Sequence, residues 1–261
     1  MAKGIVAAGH ELTARAAEEV LVDGGNAFDA AIAACYAACV AEPVLASPGG
    51  GGFLLARPAR GEAVVYDFFV QTPGARNTTD LDFRPILADF GTTRQEFHIG
   101  QASVAVPGVV RGLFQVHRDL ASMPMRELVS PALTYCRDGI EVNAFQAYIL
   151  DIVSPIVLHQ AACRATYAGQ ASSGLLAAGD RYHHARLADS LESIPIEGER
   201  LFYEGEIAEQ LVSASASGGL LRADHSPPYE CLRRRPSQFG YRDWTVETNL
   251  PASSGCLPKR S

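Results

Sequence analysis

From Ala30 to Ala41 the chain reads Ala-Ala-Ile-Ala-Ala-Cys-Tyr-Ala-Ala-Cys-Val-Ala, without one charged side chain. The run is too short to cross a bilayer, which takes about 20 apolar residues. A helix that is apolar on every face needs cover on every face. The chain is therefore committed to a layered fold in which this helix lies between other elements. Its ends are marked in the sequence. Asn26 is suited to cap the N-terminus, with Asp29 in the first turn, and Pro43 stops the helix. Gly24-Gly25 closes a preceding amphipathic helix, Glu11 to Asp23, which carries Leu12, Ala16 and Val20 at helical spacing.

The rest of the chain alternates strand and helix signals. Ile5 to Ala8 has the composition of a short strand. Gly49-Gly50-Gly51-Gly52 leads into two β-rich runs, Phe53 to Arg57 and Ala63 to Phe68. The turn residues Pro58-Ala59-Arg60-Gly61 between them make a hairpin. Thr72 to Gly100 is polar and weakly patterned, which predicts a loop. Ser103 to Val106 is a further short strand. Helices are expected from Pro107-Gly108 to Asp119, from Met125 to Arg137 with Gly139 closing it, and from Asn143 to about Pro155. Ser172 to Asp180 is a glycine-rich loop. Shorter helices follow at Ala185 to Ile194 and Glu206 to Ser213, and Tyr241 to Thr248 is a last strand. Helices interleaved with hairpins fit a layered α/β or α+β domain.

Several function classes are excluded early. The net charge is -7, which argues against a nucleic-acid partner. The only basic run, Arg233-Arg234-Arg235, is expected to be a solvated surface. No apolar run is long enough for a membrane span, and the first residues lack the pattern of a secretory leader. As written, the sequence implies a soluble, cytoplasmic protein. The six cysteines include no CxxC, and no Cys/His spacing suits zinc. Cys35 and Cys39, one helical turn apart, are expected in the core. His183-His184 are adjacent and do not face one another on a helix, so they make a poor metal clamp. No metal and no cofactor is expected.

Four consecutive glycines allow close backbone approach, an anion-binding nest or a tight turn before a strand. No Gly-Lys-Ser/Thr follows, so they are not a phosphate-binding P-loop. Ser47, Ser253 and Ser254 are nucleophile candidates by residue type alone, and nothing nearby supplies a base.

The order of segments says more. Gly24-Gly25-Asn26-Ala27-Phe28-Asp29-Ala30-Ala31 resembles the G-G-N-A-x-D-A-A junction of γ-glutamyltranspeptidases. Glu42-Pro43 followed by Gly49-Gly50-Gly51-Gly52-Phe53 resembles the next hallmark. Val106-Pro107-Gly108 to Gly112 resembles V-P-G-x-x-x-G, and Pro131-Ala132 to Gly139 resembles P-A-x-x-x-A-x-x-G. Phe202-Tyr203-Glu204-Gly205-Glu206-Ile207-Ala208 resembles F-Y-x-G-x-I-A. Gly218-Gly219-Leu220-Leu221, Tyr241-Arg242 and Pro251-Ala252-Ser253-Ser254-Gly255 follow in family order. The series covers residues 4 to 255.

The resemblance implies an α+β fold, the four-layer αββα sandwich of the N-terminal-nucleophile hydrolases, of which residues 1–261 would form the large-subunit half. It implies γ-glutamyltransferase or glutathione hydrolase chemistry. A precursor cuts its backbone before a threonine, and that threonine attacks the amide and passes the acyl group to water or an amino acid. The partner implied is a small-subunit half carrying this threonine; the substrate is a small γ-glutamyl or acyl amide. The family is often periplasmic or extracellular.

Three departures shape the expectation. The sequence ends at Ser261, before the place of the family's nucleophile, so no catalytic residue is assigned and the chain alone is expected to be inactive. The family's D-F-R-E, whose arginine pairs with the substrate α-carboxylate, is here Asp67-Phe68-Phe69-Val70. Phe69 cannot make a bidentate carboxylate pair, and a more hydrophobic acyl donor becomes plausible. Asp67, Phe69 and Gln71 are the substrate-binding candidates, with Gly49, Gly50, Gly51 and Gly52 as the pocket loop. Residues 224–261 diverge: His225-Ser226-Pro227-Pro228 stands where the family has a helical D-L-A-A-Y, and local frameshifts would explain the stretch. The competing readings are a non-catalytic remnant or binding module, an acylase-like amidohydrolase, and a complete serine hydrolase.

Overall fold

The computed structural model describes residues 4–74, 79–222, 229–251 and 253. The helices α1 (Glu11–Val22) and α2 (Ala27–Ala41) come first, then the hairpin β1 (Gly52–Ala56) and β2 (Val64–Phe68), and a second hairpin β3 (Arg84–Asp89) and β4 (Arg94–Ile99). Next are α3 (Val109–Leu120), α4 (Met125–Asp138), the short β5 (Ile140–Glu141), α5 (Ala144–Ile152), α6 (Ser154–Val157), α7 (Ala161–Tyr167), β6 (Arg181–Tyr182), α8 (Ala185–Glu197), α9 (Arg200–Tyr203) and α10 (Glu206–Ser215). Three strands close the order: β7 (Leu232–Arg234), β8 (Ser237–Tyr241) and β9 (Trp244–Thr248).

The apolar helix takes the position its composition demands. Ile32, Ala33, Tyr36, Ala37 and Ala41 of α2 are fully buried, and α2 packs against α1, α4 and α3. One large core joins α1, α2, α3, α4 and α8 to β1 and β2. Its N-terminus carries the expected capping box. The Asn26 side chain accepts from the amides of Phe28 (2.7 Å) and Asp29 (3.0 Å), and Asp29 accepts from the Asn26 amide (2.8 Å). Asp29 does more than close the box. It is fully buried and also accepts from the Ser122 amide (2.9 Å), the Ser122 hydroxyl (2.6 Å) and the Met123 amide (3.0 Å). It thus ties the start of α2 to the α3–α4 connection. Burial alone would raise its pKa, but these hydrogen bonds outweigh that and hold it below the usual carboxylate value.

The central sheet is antiparallel in the order β1-β2-β7. Gly52 faces Phe68 and Ala56 faces Val64; Asp67 faces Leu232 on the other side. The basic run expected as plain surface is therefore largely a strand. Its side chains are exposed, yet Arg234 reaches Asp67 at 2.7 Å and Arg233 reaches Asp119 at 3.2 Å. The stretch marked as divergent from residue 224 onward supplies β7, β8 and β9. His225 to Pro228 and the residues from Ser254 onward lie outside the described residues.

Four local expectations are corrected. Ile5 to Ala8 forms no strand; these residues are largely exposed, and among the described residues no strand lies alongside to satisfy their backbone groups. Thr72 to Gly100 contains the β3–β4 hairpin, closed where the Phe90 amide donates to the Thr93 carbonyl at 2.9 Å. Both strands are mostly exposed, so no apolar alternation marks them. Ser103 to Val106 is a 3-10 turn over Gln101–Ser103, after which Val106 alone bridges to Gln71. Tyr241 to Thr248 is the tip and second strand of the β8–β9 hairpin, turned by Arg242 at φ +54°. The other expected helices follow their spans closely, and α6, α7 and α9 are short helices that the sequence did not signal. Among the described residues no helix is long and apolar enough to cross a membrane.

Candidate functional site

Strand β2 continues past Phe68 into the segment that holds the substrate-binding candidates. Side chains alternate along an extended chain. Phe68 points into the core, 5% exposed, and Phe69 points out, 42% exposed. The backbone here is gripped from three directions. A Cβ on Gly51 would stand 2.4 Å from the Val70 nitrogen, and one on Gly108 would stand within 2.3 Å of both the Phe68 carbonyl and the Tyr229 hydroxyl. Only glycine permits that approach. Tyr229 donates to the Phe69 carbonyl at 2.8 Å, and Gln71 and Val106 exchange amide–carbonyl bonds at 3.1 and 2.8 Å.

Tyr229 is itself held. Its ring stacks on Tyr203 with centroids 5.8 Å apart. The Tyr203 hydroxyl donates to the Pro107 carbonyl at 3.0 Å and accepts from the Arg111 amide at 3.2 Å. Burial drives both phenols far above their ordinary pKa, so they stay neutral donors. The two tyrosines connect the chain start of α3 to the exposed Phe69.

The four-glycine loop is a tight turn. Ser47 accepts from the Gly49 amide with its hydroxyl (3.0 Å) and from the Gly50 amide with its carbonyl (3.0 Å). The Gly50 carbonyl then accepts from the amides of Gly108 (2.8 Å) and Val109 (3.1 Å), which satisfies the first donors of α3. At that point the loop offers an acceptor, where an anion nest would offer donors.

The three side-chain candidates differ in what they are free to do. The Asp67 carboxylate is occupied: it accepts from the Phe69 amide at 3.2 Å and pairs with Arg234. Gln71 is exposed and donates to the Glu230 carbonyl at 3.4 Å. Phe69 stacks on Phe53, centroids 5.5 Å apart and planes 17° from parallel. Phe53 in turn forms one wall of a cavity of about 390 Å³. Gly50, Gly51 and Gly52 line it with Cys35, Ala38 and Cys39 of α2, Leu45 and Ser47; Gly49 lies outside the lining. Burial pushes the Cys35 thiol up to about 11 and Cys39 higher still. A neighbouring space between His10, Glu42 and Phe145 holds only about 20 Å³, room for a single water.

The Ser47 hydroxyl accepts from the Gly49 amide, and among the described residues no base is hydrogen-bonded to it. Ser253 pairs with Asn249, and Ser254 is outside the described residues. His184 caps α8 by accepting from the Leu187 amide, and His183 contacts the Arg137 carbonyl. Among the described residues no group of three or more His, Cys, Asp or Glu is placed to hold a metal. Sequence reasoning missed Tyr229, Tyr203 and Phe53 as parts of this site. Tyr203 and Phe53 both stood inside recognisable motifs; Tyr229 carried no signal.

The sequence model of the family described as Gamma-glutamyltranspeptidase matches residues 13–258. The glutathione hydrolase proenzyme of Escherichia coli (strain K12) is 32% identical over 256 residues, covering 97% of this chain and 43% of that protein. The acylase ACY 1 proenzyme of Pseudomonas sp. (strain V22) is 30% identical, covering 97% of this chain and 45% of the relative. The chain thus spans less than half the length of these relatives. Among solved structures, the γ-glutamyltranspeptidase of Helicobacter pylori superposes with a TM-score of 0.83 at 26% identity, over 97% of this chain and 71% of the other.

Proposed function

This chain belongs to the γ-glutamyltranspeptidase family, and from that membership we propose that it is the large-subunit part of an enzyme that cleaves γ-glutamyl or related amide bonds through an acyl-enzyme. The partner is a small-subunit part that brings the nucleophilic threonine and the oxyanion donors. The role of this chain is to wall the acyl-donor site with the segment Asp67 to Gln71 and the glycine loop. Among the described residues no hydroxyl nucleophile is paired with a base, and the chain by itself should not turn over substrate.

One observation carries the choice of donor. Phe69 stands where the family pattern has a carboxylate-binding arginine, and its ring is stacked on Phe53. A phenyl ring cannot pair with the α-carboxylate of glutamate, and the neighbouring Arg234 is already paired with Asp67. The donor is therefore an amide with a less polar acyl group.

The test is reconstitution. The chain is co-expressed with the small-subunit part of the Escherichia coli relative, and anilides of γ-glutamate, glutarate and phenylacetate are offered. The expected result is release of aniline only in the reconstituted protein, fastest from the apolar anilide. Equal release from the isolated chain overturns the need for a partner. A clear preference for γ-glutamyl anilide overturns the donor assignment. Absence of release from every anilide leaves a binding module as the better description.

A further inference from the structure

Arg111 and Arg118 stand two helical turns apart on α3 and so share one face of it. Both reach Glu199, at 3.2 and 2.9 Å, and both use the same carboxylate oxygen, Oε1. The Arg111–Glu199 pair is largely withdrawn from solvent, with side chains 22% and 16% exposed. Nothing in the candidate site touches this carboxylate directly. What the pair does is hold a cation against a ring. The Arg111 guanidinium lies over Tyr203, 4.6 Å from the ring centroid, where low solvent access strengthens the attraction. Glu199 immediately precedes α9 and Tyr203 ends it, so both ends of that short helix are tied to Arg111.

The same contacts lead on to Phe69. The Tyr203 hydroxyl is fixed to the start of α3, which leaves the tilt of its ring to the groups on its faces. Tyr229 stacks on that ring, and among the described residues its hydroxyl donates only to the Phe69 carbonyl. The close approach of Gly108 to that hydroxyl leaves little slack to absorb a change of tilt.

We propose that Glu199 is a positioning residue for the acyl-donor site: it holds Arg111 on Tyr203, Tyr203 sets the stacked Tyr229, and Tyr229 sets where the Phe69 backbone stands. Glu199 itself touches no substrate. The words acyl-donor rest on the function proposed above, whereas the chain of contacts does not.

The test reads that carbonyl directly. Phe69-Val70 is the one Phe-Val step in the sequence. Phenylalanine labelled with 13C at the carbonyl and valine labelled with 15N therefore give a single carbonyl–amide NMR correlation, which reports Phe69. Tyr229→Phe removes the donor to this carbonyl and calibrates the shift. Glu199→Gln keeps the size and removes the charge, and it should move the resonance in the same direction. Arg118→Gln should leave it in place, since Glu199 then keeps Arg111. In the reconstituted enzyme Glu199→Gln should raise KM for the apolar anilide about three- to tenfold and change kcat by less than about twofold. A loss of stability alone moves neither the native carbonyl resonance nor KM. A resonance unmoved by Glu199→Gln overturns the proposal whatever the activity, and so does one that Tyr229→Phe fails to move. A moved resonance with an unchanged KM instead takes Phe69 out of the acyl site, and the proposal falls with the reading it rests on. Should Glu199→Gln not fold, Glu199→Asp, which draws the carboxylate back by one methylene, decides on the same resonance.

Discussion

Single residues in this protein act mostly by fixing backbone. Gly108 is the sharpest case, since a methyl there collides with both the Phe68 carbonyl and the Tyr229 hydroxyl. Gly108→Ala should destabilise the chain by about 2–4 kcal/mol through forced displacement of the Phe68–Val70 backbone, visible as a lowered urea midpoint. Phe69 differs, because its side chain is exposed. Phe69→Arg should leave stability nearly unchanged and, in the reconstituted enzyme, move the donor preference toward γ-glutamyl amides by about tenfold or more, the worth of a charged bidentate contact of roughly 1.5–3 kcal/mol. An unmoved donor profile would place Phe69 outside the acyl site. Asp29 accepts three hydrogen bonds from beyond its helix and one from its own N-cap. Its folded pKa is depressed, so its contribution is present above the unfolded value near about 3.9 and is lost as pH falls through the folded one. Asp29→Asn, which keeps one acceptor oxygen, should cost about 2–3 kcal/mol at neutral pH, and the gap between the two proteins should narrow in acid. The cap formed by Asn26 and Asp29 was legible because it is a local pattern. The reach of Asp29 to Ser122 and Met123 was not, since those partners are more than ninety residues away in the chain.

At the scale of elements, burial decided what could be read. The helix α2 was legible almost to the residue, because its composition allows only one environment. The hairpin β1–β2 was legible from its turn residues and apolar runs. The hairpin β3–β4 was not, since most of its side chains face solvent and Pro85 interrupts the first strand. The segment β7 was hidden for a related reason: a run of arginines looks like surface, and what pairs it to β2 is backbone bonding plus the carboxylate of Asp67. Of the candidate site, the strand and the loop were legible from motif order, but the tyrosine clamp was not, because Tyr203 and Tyr229 meet Phe69 only through the fold. The tight enclosure of α2 makes its small side chains a size limit. Ala33 and Ala37 are fully buried, so Ala37→Leu should cost about 1–3 kcal/mol by overpacking, while the same change at the exposed Ala214 of α10 should fall within about 0.5 kcal/mol of neutral. Equal melting shifts for the two would contradict the sandwiched position of α2.

Among the described residues the largest sheet has three strands, and its outer strands, β1 and β7, are its edges. Unpaired edges template association. Leu45, Phe69 and Leu55 add exposed apolar surface. The chain alone should therefore show weight-average mass rising with concentration in sedimentation, and co-expression with a small-subunit part should remove that rise and increase soluble yield. A concentration-independent monomer would show that these edges are already protected. The net charge of -7 opposes association, so added salt should increase it by screening.

The segment from Phe68 to Gln71 is secured by a carbonyl-to-phenol bond from Tyr229, by exchange with Val106 and by the absence of side chains at Gly51 and Gly108. None of these holds the side chain of residue 69. The backbone there forms a socket that does not depend on which side chain occupies position 69. On the proposed acyl-donor function, a lineage built this way would trade one donor for another by point substitution, with little penalty in folding, before any second change refines the fit.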